Sequence, residues 1–324
     1  MTQLLKPGWQ VIENAVVIPP ATGGRPRSGV FDAAGRFCET SATMLSNRTL
    51  SRAPELADPV RTEPGTHFYA GLGRSHFGHF LLESATRFWA LAHIETLPRS
   101  AVFTPMPGAD LAASLNGPLL DLYASLSGGM AFQVVKEPVR FERLIVPTQG
   151  FGHGDWITGT KAFRQYIAQC YADEAAAAGP KRLYISRSAL RAPKQRVDQE
   201  LQLEDMMRQA GYTVFHPQRH CLADQIEHYR AARQIVGGDG SAFHLLAFVA
   251  RADVRIGLIQ RRNRPEVIDL LTRQLQAFAS VTPETFDPTL PLADQRALVP
   301  QGADAPTPID LERLSAELTK TGFL

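Results

Sequence analysis

The stretch Ala232-Arg-Gln-Ile-Val-Gly-Gly-Asp-Gly-Ser-Ala-Phe-His-Leu-Leu-Ala-Phe-Val249 decides the fold of the C-terminal half of the chain. Residues 234–236 are predicted to form a short buried strand, residues 237–240 a glycine-rich turn, and a helix is predicted to begin at Ser241. At such a turn, backbone N–H groups and the positive end of the helix dipole face one spot, which suits an anion such as a nucleotide phosphate. Glycines also occur at strand–helix turns for close packing, so the motif alone leaves both explanations open.

Short apolar runs alternate with helical patterns on both sides of this stretch. In the C-terminal half, strands are predicted at 182–186, 213–215 and 255–259, and helices at 199–210, 221–232 and 265–279. In the N-terminal half, strands are predicted at 67–70, 101–103, 132–135 and 143–147, with helices at 75–93, 111–126 and 159–178. Strands that alternate with helices predict an α/β fold in which a parallel sheet is covered on both faces.

The composition is that of a globular protein. The 324 residues are enough for two domains, and 44% of them are hydrophobic and 20% charged. A formal net charge of +2 gives no reason to expect a nucleic-acid partner. Three widely spaced cysteines form neither a disulfide framework nor a metal motif, and no signal peptide or membrane span is recognised. A cytoplasmic location is predicted, with peripheral contact at the inner face of the membrane left open.

The predicted helix from Ser75 to about His93 carries His76, His79 and Glu83 on one face, at positions i, i+3 and i+7. Buried polar groups must be paired, so this stripe has three interpretations. It is a hydrogen-bonded interior network, a general base with its supporting groups, or a metal site. Glu83 is the first candidate for the base, with His79 as its partner or substitute.

A second candidate region is the glycine-rich loop from Gln149 to Trp156, which follows a predicted strand. Its small residues allow the backbone to approach a ligand closely, and His153 and Asp155 have side chains that can contact sugar hydroxyls. Asp155 is the second candidate for a base. A structured turn without a ligand explains the glycines equally well.

A basic loop that follows the predicted strand at 182–186 is the third candidate region. Arg187 and Arg196 bracket this loop beyond the strand end, where open α/β sheets bind ligands. Two arginines can neutralise a diphosphate, whereas the alternative for such a basic run is a solvated surface. Glu200 either orients a ribose or an arginine, or compensates the dipole of its helix. A serine hydrolase and a dinucleotide-binding fold are not supported, because neither glycine motif is complete.

Four segments, taken in order, resemble landmarks of glycosyltransferase family 61 over about residues 66–259. They are His76-Phe-Gly-His-Phe-Leu-Leu-Glu83, Arg182-Leu-Tyr-Ile-Ser-Arg187, Arg196-Val-Asp-Gln-Glu200, and a run from Gly211 to His244 that includes Asp224-Gln225-Ile and Gly237-Gly-Asp-Gly-Ser-Ala. The resemblance implies a GT-B fold, with two Rossmann-like domains facing across a cleft and the nucleotide-sugar held by the second domain. It also implies inverting transfer without a metal or other cofactor.

The resemblance implies site residues as well. The donor would be bound by Arg187, Arg196, Glu200, Gln225, Asp239, Gly240, Ser241 and Ala242. The acceptor side would comprise the helix of His79 and Glu83, with His76 and His153 beside it. The chain departs from the family at Asp239, where a His is usual, and a carboxylate beside a diphosphate is repulsive unless it points away or pairs with an arginine.

The sequence therefore predicts an N-terminal acceptor-side domain (1–157), a C-terminal nucleotide-sugar-binding domain (158–285) and a tail (286–324) that packs back on the N-terminal domain. The predicted function is transfer of a sugar from a nucleotide-sugar to a glycan or glycolipid acceptor in surface polysaccharide assembly. Two alternatives remain, a metal-dependent hydrolase built on His76, His79 and Glu83, and a non-catalytic binding subunit with the same fold.

Overall fold

The computed structural model describes residues 6–21, 26–45, 48–108, 110–172, 178–299 and 303–324. The chain divides into two compact units, residues 1–172 and 173–324. This division lies C-terminal to the domain boundary predicted between residues 157 and 158. Among the described residues, no helix is both long enough and apolar enough to cross a membrane.

The first unit is a mixed sheet with short helices. Its strands are β1 (Trp9–Ile18), β2 (Gly29–Phe31), β3 (Met44–Leu45), β4 (Arg48–Thr49), β5 (Arg61–Gly73), β6 (Ser100–Pro105), β7 (Ala131–Val134) and β8 (Val139–Pro147). Its α-helices are α1 (Phe77–His79), α2 (Leu111–Leu115), α3 (Leu120–Ser127) and α4 (Lys161–Cys170). A π-helical turn spans Phe80–Ser84, and 3-10 helices span Glu39–Ser41, Phe88–His93 and Gly154–Thr158.

Six strands form the sheet of the first unit, in the order β2-β1-β8-β5-β6-β7. The pairs β8·β5, β5·β6 and β6·β7 are parallel, whereas β1 runs antiparallel to both β2 and β8. The parallel sheet predicted from the alternating pattern is therefore confirmed for β8, β5, β6 and β7, but not for β1 and β2. Because β5 and β8 are parallel neighbours, the loops after Gly73 and after Pro147 begin at the same edge of the sheet.

The second unit is a parallel sheet with helices in its connections. Its strands are β9 (Arg182–Ile185), β10 (Thr213–Phe215), β11 (Gln234–Gly238), β12 (Arg255–Ile259) and β13 (Glu284–Phe286). Its α-helices are α5 (Glu200–Gln209), α6 (Leu222–Ala231), α7 (Ala242–Val249), α8 (Pro265–Ala279), α9 (Leu292–Leu298) and α10 (Leu311–Lys320). Two 3-10 helices span Pro193–Gln195 and Pro217–Arg219.

All five strands of this sheet are parallel, in the order β10-β9-β11-β12-β13. If the five strands are numbered 1 to 5 along the chain from β9, their order in the sheet is 2-1-3-4-5, which is a doubly wound order. The chain turns to opposite sides of the sheet after β9 and after β11, so the carboxyl ends of these two strands flank the crevice where such folds bind ligands. The central strands are buried apolar runs, as expected for a sheet that is covered on both faces.

Two predictions about helices and one about the tail need correction. Residues 75–93 form no continuous helix, because the short α1 passes into the π-helical turn and then into 3-10 turns. The helix predicted at 159–178 ends at Cys170 in the structure, and residues 173–177 lie outside the described part. The tail was expected to pack on the first domain, but Leu314, Leu318 and Phe323 lie in the core of the second unit beside Tyr184. The apolar face of α10 is buried there because it completes that core.

Candidate active site

A histidine–glutamate cluster lies at the carboxyl edge of the sheet in the first unit, and we define it as His79, Glu83, His153 and Arg74. Arg74 immediately follows β5. Ser84 ties the π-helical turn to this strand, since its hydroxyl donates to the carbonyl of Leu72 at 3.1 Å and accepts from the N–H of Arg74 at 2.9 Å. This anchoring sets Glu83 beside the end of β5.

The loop after β8 brings His153 to the same place. The N–H of the buried Trp89 indole donates to the carbonyl of Thr148, and the Gln149 amide exchanges two hydrogen bonds with the backbone of Met44. Gly150 packs so closely on Trp89 that a methyl group there would lie 2.7 Å from the indole. The glycine-rich loop is therefore a rigid turn, and this rigidity is compatible with a binding role for His153.

The Glu83 carboxylate is the centre of the cluster and is almost fully buried. His79 Nδ1 lies 2.5 Å and His153 Nε2 3.0 Å from Glu83 Oε1, and Arg74 Nε lies 3.2 Å from Oε2. Burial by itself raises the pKa of Glu83, but the hydrogen bonds from His153 and His79 and the charge of Arg74 outweigh it and lower the pKa to about 2. Glu83 is therefore an anion at neutral pH and only accepts hydrogen bonds.

These hydrogen bonds fix which nitrogen of each imidazole faces Glu83. Because Glu83 Oε1 can only accept, His79 carries its proton on Nδ1 and His153 carries its proton on Nε2. In the neutral form of each ring, the remaining nitrogen, His79 Nε2 or His153 Nδ1, is a proton acceptor. The His79 side chain is 42% exposed against 29% for His153 and 3% for Glu83, so the imidazole of His79 has the best access to an incoming hydroxyl.

The geometry changes the roles expected of these residues. A base works best when its pKa is near the working pH, and a carboxyl group of pKa about 2 is far from it. Glu83 is better suited to orient and polarise an imidazole, in the way that a buried carboxylate does in a catalytic triad. Asp155, the second candidate for a base, lies exposed in the first turn of the 3-10 helix that follows His153.

The same cluster bears on the metal hypothesis. His79, Glu83 and His153 each offer a ligand atom within 4.8 Å of the others, so the group resembles a metal site in composition. His153, rather than the predicted His76, is the third member; the rings of His76 and His79 stack edge to face at 5.3 Å. Two ligands of one tetrahedral zinc ion are about 3.3 Å apart for bonds of about 2.0 Å. The separations of 2.5 and 3.0 Å fit hydrogen bonds better, and the charge of Arg74 opposes a cation.

A second group of polar residues lies at the carboxyl edge of the parallel sheet in the second unit. We define this arginine cluster as Arg187, Arg261 and Arg262 around the buried Asp239. Arg187 follows β9, Asp239 follows β11 and the other two arginines follow β12, so the cluster spans three neighbouring strands. It flanks the crevice between β9 and β11 that the strand order defines.

The glycines of the motif allow Arg187 to reach this position. A methyl group on Gly240 would lie 2.1 Å from Arg187 Nη1, so only glycine leaves room for the guanidinium over the turn. Burial lowers the pKa of Arg187, and the charges of Asp239 and Glu200 partly offset this effect. Helix α7 begins at Ala242 beside this guanidinium, so the positive end of its dipole lies there; the N–H groups of Phe243 and His244 donate to the carbonyls of Gly240 and Ser241 in the turn. A cation and a helix N-terminus therefore coincide, which is the combination that binds phosphate.

Two of the predicted donor residues instead hold the loop from 187 to 197. The buried Glu200 carboxylate accepts from the N–H of Arg187 at 2.7 Å and from the N–H of Val197 at 3.1 Å. Arg196 donates twice to the carbonyl of Leu190, at 2.6 and 2.8 Å. These bonds pin both ends of the loop, so Glu200 and Arg196 position Arg187.

The other predicted donor residues are distributed as follows. Gln225 is buried on α6, and its amide donates to the carbonyls of Pro217 and His220. Ser241 precedes α7 and makes no side-chain capping bond. Asp239, at which the chain departs from the family pattern, is wholly buried, and its Oδ1 lies 2.7 Å from Arg261 Nε. The negative charge of this carboxylate is therefore neutralised by an arginine inside the protein. Burial raises the pKa of Asp239, and the three arginines oppose that rise.

Three members of these clusters were not among the site residues predicted from the sequence, namely Arg74, Arg261 and Arg262. Each directly follows or lies within three residues of a strand end. A search for charged residues at the carboxyl ends of all predicted parallel strands would have found the pair after β12. The strand predicted at 67–70 continues as β5 through Gly73, so the placement of Arg74 at a strand end was not evident.

A comparison with models of protein families identifies the family of the chain. The family model described as glycosyltransferase 61 matches residues 77–256, which is more than half of the 324 residues. The match includes His79, Glu83, His153 and Arg187, whereas Arg261 and its neighbour lie beyond it. No curated protein matches the chain. The chain belongs to glycosyltransferase family 61.

Proposed function

We propose that the protein is an inverting, metal-independent glycosyltransferase of GT-B architecture that transfers a sugar from a nucleotide-sugar to a glycan or glycolipid. Family membership implies glycosyltransferase activity, and with it a sugar donor and an acceptor. The single observation that carries the finer proposal is the packing of Arg187 over Gly240 at the N-terminus of α7, in a parallel sheet of doubly wound order. This arrangement suits the diphosphate of a nucleotide-sugar.

The donor's diphosphate is the leaving group of the reaction. As the bond between the anomeric carbon and the phosphate oxygen breaks, negative charge accumulates on that oxygen. Arg187 and the positive end of the α7 dipole stabilise this charge, and Glu200 and Arg196 hold Arg187 in place. Because Arg187 and α7 are held in place before the nucleotide-sugar binds, little reorganisation of the protein opposes the reaction.

The acceptor hydroxyl is activated by the histidine–glutamate cluster. The hydroxyl oxygen attacks the anomeric carbon from the face opposite to the leaving group, which inverts the configuration at this carbon. The hydroxyl proton passes to His79 Nε2, since Nδ1 already donates to Glu83. The Glu83 anion stabilises the imidazolium that forms, and His153 and Arg74 keep Glu83 ionised.

Metal independence is part of the proposal, and it is supported by the short separations within the cluster and by the charge of Arg74. A role in surface polysaccharide assembly at the inner face of the membrane follows from the resemblance of the sequence to bacterial members of the family. The nucleotide-sugar is a co-substrate, and no cofactor is required in this mechanism.

A turnover assay tests the proposal. Release of nucleoside diphosphate from a panel of nucleotide-sugars is followed in the presence of glycan and glycolipid acceptors, with and without EDTA. We expect turnover that EDTA does not change and a product of inverted anomeric configuration by NMR. His79→Gln should lower kcat by about 10² to 10⁴ and leave the KM for the donor nearly unchanged. The matched control is His93→Gln, an exposed histidine of the same unit. Equal loss in both variants, or turnover that requires a metal, would refute the mechanism.

A further inference from the structure

The two arginines that follow β12 have no role in the proposed mechanism. Arg261 and Arg262 follow the strand next to β11, and a methyl group on Gly238 would lie 3.5 Å from Arg187 Cδ and 3.7 Å from Arg261 Cδ. The stems of Arg187 and Arg261 thus converge over one glycine. Three guanidinium groups near two carboxylates, those of Asp239 and Glu200, leave an excess of positive charge at the crevice.

Arg261 is bound within the protein through its Nε and Nη1. Its Nε donates to the backbone carbonyl of Asp239 at 2.8 Å and lies 2.7 Å from Oδ1, and its Nη1 donates to the carbonyl of Lys194 at 3.1 Å. Its side chain is only 5% exposed. Burial and the neighbouring Arg187 lower its pKa to about 10, so it is a cation at neutral pH. Arg261 is therefore the internal counter-ion of Asp239.

Arg262 differs from its neighbour in its contacts and its exposure. Its side chain is 35% exposed, and its Nε lies 3.7 Å from Asp239 Oδ2, which is too far for a hydrogen bond. The buried Nε has no acceptor among the described residues, and neither Asp239 carboxylate oxygen receives an aligned hydrogen bond. A buried donor without an acceptor is costly, and a phosphate oxygen would satisfy it.

We propose that Arg262 binds the second phosphate of a nucleoside diphosphate whose first phosphate is held by Arg187 and the N-terminus of α7. The Asp239–Arg261 pair has a positioning role, because its carboxylate acts as an internal anion that balances the arginines while the site is empty. This inference rests on the proposed function, since it assigns one more contact of the same donor site. It extends that site to a residue beyond the segment that the family model matches.

Calorimetric titration of the full chain tests the assignment. The probes are inorganic pyrophosphate and whichever of UDP, GDP, CDP, ADP and dTDP binds the wild type most tightly, each compared with its monophosphate. Arg262→Ala should weaken binding of pyrophosphate and of the diphosphate about tenfold or more, but that of the monophosphate less than about threefold. Arg264→Ala, which removes an equal charge from an exposed side chain two residues away, should change neither.

Asp239→Asn should change the binding of pyrophosphate in the opposite direction to Arg262→Ala. Loss of the internal anion leaves the arginines uncompensated, so the variant should have a lower melting temperature but bind pyrophosphate several-fold more tightly. If Arg262 and Asp239 only maintained the structure, both Arg262→Ala and Asp239→Asn would weaken the binding of pyrophosphate. That outcome would overturn the assignment. Equal losses for monophosphate and diphosphate in Arg262→Ala, or equal effects of Arg262→Ala and Arg264→Ala, would overturn it as well. If the wild type binds no nucleotide and no pyrophosphate, the proposed function fails and this inference fails with it.

Discussion

Replacement of Glu83 by Gln should destabilise the first unit by an amount that depends on pH in a defined way. The pKa of Glu83 is lowered from its ordinary 4.5 to about 2 in the folded protein. A group whose pKa is depressed by folding contributes stability above its unfolded pKa and loses it as the pH falls towards the folded pKa. The stabilising contribution of Glu83 is therefore lost as the pH falls from about 4.5 to about 2.

The size of the effect follows from this difference in pKa. At about 1.4 kcal/mol for each pH unit, the ionised Glu83 contributes about 3 kcal/mol to the free energy of unfolding at pH 7. About 2 kcal/mol of this contribution is lost by pH 3. Glu83→Gln should thus be about 3 kcal/mol less stable than the wild type at pH 7, and the gap should narrow to about 1 kcal/mol at pH 3.

Tryptophan fluorescence during urea denaturation measures this gap in the relevant unit. All three tryptophans, Trp9, Trp89 and Trp156, lie in residues 1–172, so the signal reports on the first unit alone. Glu13→Gln is the matched control, because Glu13 lies in the same unit with an exposed side chain. A gap at pH 7 no larger than that of Glu13→Gln, or a gap that does not narrow at pH 3, would refute the account of the cluster.

Three further predictions follow from the contacts of the two clusters. Gly240→Ala should displace the Arg187 guanidinium and weaken nucleoside diphosphate binding about tenfold by calorimetry, whereas Gly152→Ala, whose methyl group would have no neighbour closer than 3.5 Å, should not. Glu200→Ala should loosen the loop from 187 to 197 and speed its cleavage by trypsin, and an unchanged cleavage rate would show that Glu200 does not hold the loop. Dialysis against EDTA should leave the thermal unfolding midpoint unchanged, and a fall would indicate a bound metal.

Much of the second unit could be predicted from the sequence because its elements have strong local signals. The helix predicted at 265–279 has the bounds of α8, and the strands predicted at 213–215 and 255–259 are those of β10 and β12. Uninterrupted apolar strands between glycines and helices that begin at proline are local features. The sheet order was not predictable in this way, since it depends on pairing between distant strands.

The first unit was harder to predict because its decisive features are tertiary. The stripe of His76, His79 and Glu83 was derived from ideal helical periodicity, which the π-helical turn breaks. His153, which is distant in sequence, joins the cluster through the pairing of β5 with β8. The depressed pKa of Glu83 arises from those partners, so the sequence did not show that Glu83 is poorly suited to act as a base.

The donor site was predicted in outline but not in its division of roles. Arg187 and the glycine turn were singled out because both follow strand ends, and the structure places them in contact. Arg196 was assigned to the ligand, yet its hydrogen bonds go to the carbonyl of Leu190; Glu200 was expected to orient a ribose or an arginine, and its carboxylate accepts from the N–H of Arg187. Sequence position shows that a charge is near a site, whereas the choice between ligand and backbone depends on side-chain geometry.

The central claim is that a nucleoside diphosphate binds at the Arg187–Gly240 turn, and thermal unfolding of the wild type and Arg187→Ala with UDP, GDP, CDP, ADP and dTDP tests it most directly. A ligand that binds only the folded state raises the melting temperature by mass action. We expect one nucleotide to raise the melting temperature of the wild type, with or without EDTA, and to have no such effect on Arg187→Ala. An equal rise in the variant, or no rise with any nucleotide in the wild type, would contradict the claim.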